Sequence, residues 1–459
     1  MMLQASRLRQ LENPNLSVNS RAELSCQVAR EFENKGEYEN ARKALGRYWR
    51  QIGGRPEVTD LEPSAAGEVL LRVGVLTGMI GSKNQIADAQ ENAKDLIFES
   101  LNTFQSLRYQ KKIAEAQTEL ALCYWRAGEN NEARDLLEET LSRLTVDSEL
   151  RATAVLRLAI VELEVSKLER ALSILTDYAP LFQKINNQTL KGSYYATLGN
   201  VLEKLWETES RTEYLDRALI EFAAANYHFE LAGHRSYLAN TENNLGLLYF
   251  TINRCDEAHQ HLDHARHVLI TLKDVSAIAQ VDETRACVLL KQGRVAEAER
   301  VVRSAVHTQE KSGRHTLLAE ALVTHGRALA RLRNNSASLS AFRRAIELSE
   351  QNGNRNRAAE AALAAFQEIG QQLAILEGQK LYSGRTLSEE ISAFEHDTIR
   401  IALENAQGSV THAARSLGMS YQALTYMLET RHRDLLTQRT PARRRPRKSF
   451  TPSLKLQKS

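Results

Sequence analysis

The chain of 459 residues is most telling for what it has little of. It has seven prolines, Pro14, Pro56, Pro63, Pro180, Pro441, Pro446 and Pro452, and none between residues 181 and 440. A proline inside a helix costs about 3 kcal/mol, so this gap excludes a proline-broken middle and favours long helices. It has four cysteines, Cys26, Cys123, Cys255 and Cys287, all far apart, which excludes a closely spaced zinc or redox motif and reads as buried thiols in a reducing compartment. Long apolar runs are scarce. The most apolar stretch, 69–81, reads as too short to cross a bilayer and is interrupted by Arg72. The first fifteen residues carry arginines and Glu12 without the apolar core of an export signal. The expectation is a cytoplasmic protein with no membrane partner.

Catalytic signatures are scarce too. The stretch Gly78, Gly81, Lys83 is too short for a phosphate-binding loop, and there is no nucleophile elbow and no HExxH. The chain is therefore expected not to be an enzyme, with no cofactor. Four histidines, His259, His261, His264 and His267, lie close together with Asp263 nearby. Leu262 and Ala265 take the core face of that helix, which leaves the histidines on its flank as a solvated surface rather than a metal site.

What is present is a rhythm. Ala218, Phe222 and Ala225 are followed at a step of 40 by Ala258, Leu262 and Ala265, then Ala298, Val302 and Ala305, then Ser338, Phe342 and Ala345. Gly246 and Tyr249 match Ala286 and Leu289, then Gly326 and Leu329, at the same step. Ala93 and Ile97 with Ala133 and Leu137 repeat it upstream. Turn signals separate the paired helices at Lys35-Gly36-Glu37, Ala127-Gly128-Glu129, Gln292-Gly293-Arg294 and Arg333-Asn334-Asn335. Each unit is a helical hairpin that cannot bury its own apolar face, whereas stacked hairpins bury a continuous one.

This pattern resembles the tetratricopeptide (TPR) family, best in Glu242 to Ala265, and covers residues 20–376 in about eight units. The step of 40 exceeds the family's usual length of about 34, so helices or connections are longer. The resemblance implies a groove lined by the first helix of each pair, with Asn240, Asn243, Leu247, Phe250, Glu283, Cys287, Arg327 and Arg331 among its residues. A protein or peptide is the partner expected there.

The rhythm stops near Gly370, and residues 377–387 read as a linker after an N-terminal segment 1–19 and the array 20–376. A helix follows with Ile391, Phe394, Thr398, Ile399, Ala402 and Leu403 on one face. Next come two short helices. Val410, Ala413, Ala414 and Leu417 line the first, Gly418 turns the chain, Met419 plugs the turn, and Ser420 caps the second, whose inner face is Ala423, Leu424, Met427 and Leu428. Residues 388–430 resemble the DNA-binding domain of the Fis family, on Ala413-Ala414-Arg415, Leu417-Gly418-Met419-Ser420 and Leu424. The resemblance implies that Ser420, Tyr421, Gln422, Thr425 and Tyr426 face double-stranded DNA and that the chain is a homodimer. The helix lacks that family's usual cations.

Charge compensates downstream. Residues 431–459 hold ten Lys/Arg, among them Arg431, Arg433, Arg443, Arg444, Arg445, Arg447 and Lys448, against Asp434 alone. The net charge of +3 is therefore +9 in this segment and −6 elsewhere. The segment reads as a disordered basic arm that neutralises phosphates beside the second helix. The whole is expected to be all-α: a TPR-like solenoid, a small helix-turn-helix domain and a basic tail. Its expected function is sequence-specific transcriptional regulation; the alternative is an interaction scaffold whose tail binds RNA or an acidic partner.

Overall fold

The computed structural model describes residues 8, 11–13, 15–84, 86, 88–351, 358, 361–368, 370 and 387–438. The chain divides into two compact units, Met1–Gln372 and Leu373–Ser459. Among the described residues every regular element is helical.

The first unit contains eight helix pairs. They are α1 (Val18–Glu33) with α2 (Tyr38–Ala44), α3 (Pro63–Asn84) with α4 (Ala89–Ser106), α5 (Gln110–Arg126) with α6 (Asn130–Arg143), and α7 (Glu149–Glu164) with α8 (Leu168–Asp177). After the short α9 (Ala179–Lys184) follow α10 (Gln188–Glu209) with α11 (Thr212–Ala232) and α12 (Arg235–Thr251) with α13 (Cys255–Leu272). The last are α14 (Val275–Lys291) with α15 (Val295–Ser312) and α16 (His315–Arg331) with α17 (Asn335–Gln351). The repeat residues explain the pairing. A Cβ on Gly246 would lie 2.6 Å from Leu262, and one on Gly326 would lie 2.9 Å from the Phe342 ring. Glycine on the first helix thus admits a large side chain from the second, and Leu262, Phe342 and their repeat equivalents are buried. Full burial of such a side chain contributes about 1.5–3 kcal/mol. Gly293 ends α14 at φ +76°, a conformation that a side chain disfavours.

Successive first helices pack on one another, α12 on α14 and α14 on α16, and no comparable packing joins the second helices. The first helices therefore line the inner face. A cation in their last turn links neighbours: Lys291 Nζ donates to the Phe250 carbonyl at 2.8 Å, and Arg331 Nη1 to the Leu290 carbonyl at 2.9 Å. Both contacts suit the negative end of a helix.

A second kind of contact joins distant pairs. Thr189 Oγ1 on α10 donates to the Asn34 carbonyl at 2.6 Å. Gly36 lies against the His234 ring so closely that a Cβ would be 2.6 Å from Cε1. Tyr38 is hydrogen-bonded to Tyr237. The turn of the first pair is thereby clasped to the α10–α12 region.

One expectation is corrected here. The apolar stretch around 69–81 belongs to the longer α3, and Pro63–Ser82 is long and apolar enough to cross a membrane. That window is 78 % buried inside the array, which accounts for its composition as a core helix.

The second unit contains α18 (Leu387–Asn405), α19 (Val410–Ser416), α20 (Tyr421–Thr430) and a 3-10 segment, Arg433–Gln438. Ile399, Leu403, Ala413, Ala414, Leu424, Leu428 and Leu435 form its core. The folded part thus extends past residue 430, where the sequence reading begins a disordered arm, because His432 and Leu435 are buried. Ile391 and Phe394, expected on the apolar face of α18, are exposed, and so is Ala423 of α20.

Candidate partner face and nucleic-acid interface

The inner face of the first pairs is occupied by its own charges. Arg72 on α3 holds Glu33 of α1 at 2.7 Å and Glu115 of α5 at 3.0 Å. Arg30 also pairs with Glu115, and Lys112 pairs with Glu68 and, at 3.2 Å, with Glu115. Arg157 on α7 holds Glu119 at 2.8 Å. Burial pushes the Glu33 carboxyl up, with Arg72 opposing it. Glu119 ends below its usual range because Arg157 and Arg72 outweigh its burial. A cavity of about 240 Å³ lies among Arg30, Glu68, Arg72 and Lys112. Beside it the Cys26 thiol is pushed up to about 12 by burial, so it is inert rather than nucleophilic.

The later pairs differ. Asn240 is exposed, while Asn243 is only 8 % exposed and its Oδ1 has no hydrogen-bond partner. Leu247 is exposed. Phe250 is covered by Lys291, whose Nζ lies 4.8 Å from the ring centre. Glu283 accepts from Thr324 Oγ1 at 2.5 Å and from Cys287 Sγ at 3.4 Å, and burial raises its pKa. These residues and Arg327 line a cavity of about 280 Å³. Arg331 departs from its expected groove role. It is tied to Glu368 at 2.7 and 3.1 Å and to the Leu290 carbonyl, so it serves the packing of the array.

The histidines of α13 are also engaged. His261 hydrogen-bonds Glu242 Oε2 at 2.6 Å and stacks on Tyr249, and His264 Nδ1 lies 3.1 Å from Glu242 Oε1. Among the described residues no cluster of three or more His, Cys, Asp or Glu could hold a metal ion. Composition flagged these histidines, but the Glu242 partner one helix away was missed; its signal is the pairing of α12 with α13.

In the second unit the turn is built from caps. Ser409 Oγ accepts from His412 N at 3.4 Å and Ser420 Oγ from Ala423 N at 3.1 Å. Gly418 takes φ +67°, and Met419 N donates to the Ala414 carbonyl at 3.0 Å, closing α19. Of the residues expected on DNA, Tyr421, Gln422 and Tyr426 are exposed on α20. Ser420 is exposed but its oxygen serves as the cap. Thr425 is half-buried with Oγ1 shut off from solvent, so its hydroxyl is not on the outer surface. Arg431 is 3.4 Å from Glu395 and Arg433 donates to the Glu429 carbonyl at 2.7 Å; both remain exposed. Sequence reasoning missed the anchor beneath them. His396 Nε2 meets Asp434 Oδ2 at 2.5 Å and buried His432 meets Glu395 at 3.4 Å, tying α18 to the segment after α20. Arg443, Arg444, Arg445, Arg447 and Lys448 lie outside the described residues.

Residues 390–429 match the family described as "Bacterial regulatory protein, Fis family", and residues 319–352 match the tetratricopeptide repeat. No curated protein matches the chain. Among solved structures, the apo form of the quorum sensor NprR from B. thuringiensis is 11 % identical, with TM-score 0.52 over 75 % of this chain and 92 % of that one. A Rap protein complexed with competence and sporulation factor is 13 % identical, with TM-score 0.50 over 77 % and 99 %. The human IFIT1 dimer with PPP-AAAA is 14 % identical, with TM-score 0.52 over 78 % and 75 %. At these identities the likeness is one of fold. The chain thus joins a TPR-like helical array to a Fis-type helix-turn-helix, the architecture of a DNA-binding regulator with a protein-interaction region.

Proposed function

We propose that the protein is a sequence-specific, homodimeric DNA-binding transcriptional regulator, not an enzyme, whose array binds a peptide or protein. The observation that carries this reading is the Fis-family match falling on a capped helix-turn-helix that exposes Tyr421, Gln422 and Tyr426. Gln422 can pair with adenine, and the tyrosines offer hydroxyls to bases or phosphates. The helix N-terminus at Ser420 suits a phosphate.

Charge places a condition on this reading. Residues 387–438 hold four Arg against seven acids, a net charge of −3, whereas residues 439–459 hold eight Lys/Arg and no acid. Phosphate attraction therefore comes chiefly from the arm. Ile391, Phe394 and Ile401 lie on one side of α18 and are exposed, which supports dimerisation through that helix. The peptide part rests on the fold shared with NprR and with the Rap protein bound to competence and sporulation factor.

The test is a duplex-DNA selection followed by titration over salt. Gln422→Ala or Tyr421→Ala should cost about 1–3 kcal/mol of selectivity at one base position. Removing residues 439–459 should weaken all sequences alike and flatten the salt dependence. Equal binding to any polyanion, unchanged by either substitution, defeats the reading and favours the scaffold. Sedimentation of Phe394→Glu with Ile401→Glu tests the dimer, which should become a monomer.

A further inference from the structure

The second helix α11 is apolar on two opposite sides. Ala218, Phe222, Ala225 and Phe229 are buried against α10, where Gly199 and Gly192 receive the two phenylalanine rings. On the other side Ile220, Tyr227 and Leu231 are each more than half exposed, with Ala223 and Ala224 between them. Their spacing puts all five on one face of the helix. The step of 40 supplies an internal comparison, because the same positions recur on α13, α15 and α17. Ile220 gives way to Gln260, Arg300 and Ser340, Tyr227 to His267, His307 and Glu347, and Leu231 to Thr271, Lys311 and Gln351. Stacking of the repeats therefore does not call for apolar residues at these places, and of the four helices α11 alone carries a contiguous apolar stripe there. Full burial of an exposed Leu or Ile side chain is worth about 1.5–3 kcal/mol, so a cover for the stripe is favoured.

The stripe is bounded by acids. Asp216, one turn before Ile220, and Glu230, beside Leu231, are exposed and make no ion pair with any described residue. Arg217, the cation on this stretch, is already held by Glu221 at 3.3 Å. We propose that this face of α11 docks an amphipathic helix of a partner protein, apolar along one side and carrying a Lys or Arg near each end to meet Asp216 and Glu230. The proposal rests on the reading that the array binds a protein, and gives that partner a place and a chemistry. A helix suits the stripe because its rows of side chains interdigitate with those of α11, and Ala223 and Ala224 at the middle let the two backbones approach to the near end of the usual 8–10 Å. The two acids lie about 21 Å apart along α11, which sets the spacing of the partner's cations. A second copy laid antiparallel on the same face would set Asp216 against Glu230, so a cationic partner is the better match.

The test uses stapled helical peptides of about 15 residues, or four turns, with Leu at i, i+4 and i+7 and with both ends Lys, both Gln or both Glu. A further peptide keeps the Lys ends and has Ser in place of Leu. Binding to the full-length protein is followed by fluorescence anisotropy at low and high salt. The Lys-ended Leu peptide should bind about tenfold or more tightly than the Glu-ended one, with a gap that narrows as salt rises. The Ser peptide should not bind. In the protein, Ile220→Gln, Tyr227→His and Leu231→Thr together write the next repeat's residues onto α11 and should weaken binding about tenfold or more. Asp216→Lys with Glu230→Lys should reverse the preference between ends. Thermal melting confirms that both variants are folded. No binding of any Leu peptide, or equal binding whatever the ends, overturns the proposal. Binding that survives the triple substitution overturns this site and leaves the reading of a protein-binding array intact. Sedimentation in the Phe394→Glu, Ile401→Glu background tests the other occupant: a dimer that persists there and is lost on the triple substitution assigns the stripe to a second copy and overturns the partner helix.

Discussion

The inner face is built in two ways. On α1, α3, α5 and α7 the cations Arg30, Arg72, Lys112 and Arg157 each hold a carboxylate from a neighbouring or the same helix. On α12, α14 and α16 the face is sparse. Asn243 Oδ1 is unpartnered and shut off from solvent, and Arg327 shares its cavity with Glu283 without a hydrogen bond to it. Charges that pair across helices position those helices, although Glu33 Oε1 and Arg72 Nε in the paired half also lack a hydrogen-bond partner. The same fold thus ties one half of its inner face with ion pairs between helices and the other half with few.

Four measurements test this contrast. The largest effect is expected for Arg72→Ala. It strands Glu33 in the interior, while Glu115 keeps Arg30 and Lys112, and should destabilise by about 3–5 kcal/mol in urea unfolding; a loss under about 1 kcal/mol would remove the structural role of the paired half. The next is pH-dependent. Burial lowers the His234 pKa from 6.5 to about 4. Between these values the unfolded chain binds a proton that the folded chain refuses, so stability falls as pH drops from 6.5 toward 4, by at most about 3 kcal/mol. His234→Gln should lose that part of the slope, and an identical slope in the variant would contradict it. Gly36→Ala should cost about 1–3 kcal/mol, since it strains φ +71° and drives a methyl into the His234 ring. A melting temperature equal to wild type would show that the clasp yields. Smallest of all, Arg327→Gln should change stability by no more than about 0.5 kcal/mol, because its link to Glu283 is electrostatic only, without a hydrogen bond; a larger loss would make it a structural cation like Arg72.

Much of the architecture could be read from periodicity. Gly246, Leu262, Gly326 and Phe342 give the pairing directly because small and large residues meet at fixed offsets. The helix-turn-helix was readable from Gly418, Ser420 and the spacing of Leu424 and Leu428. The site was only partly readable. Arg331 looks like Arg327 in sequence, being one turn away, but Glu368 takes it. Thr425 has the right chemistry for DNA and turns its oxygen inward. Arg72 lies 39 residues after Glu33 and 43 before Glu115, near the step of 40 but not on it, so the period alone does not pair them. The clasp has no such signal. Asn34 and Thr189 are 155 residues apart, and no local pattern connects them.

That clasp changes how the chain must fold. A solenoid with contacts only between neighbours can nucleate anywhere and fray from either end. Joining the first pair to the fifth and sixth encloses the intervening helices in a loop, whose closure costs entropy that grows slowly with length. The first pair cannot complete its contacts until α10 and α12 exist, so during synthesis it must wait for about two hundred more residues. Once closed, the loop removes the free end from which the N-terminal half would otherwise unzip, and unfolding of these pairs becomes a single cooperative event.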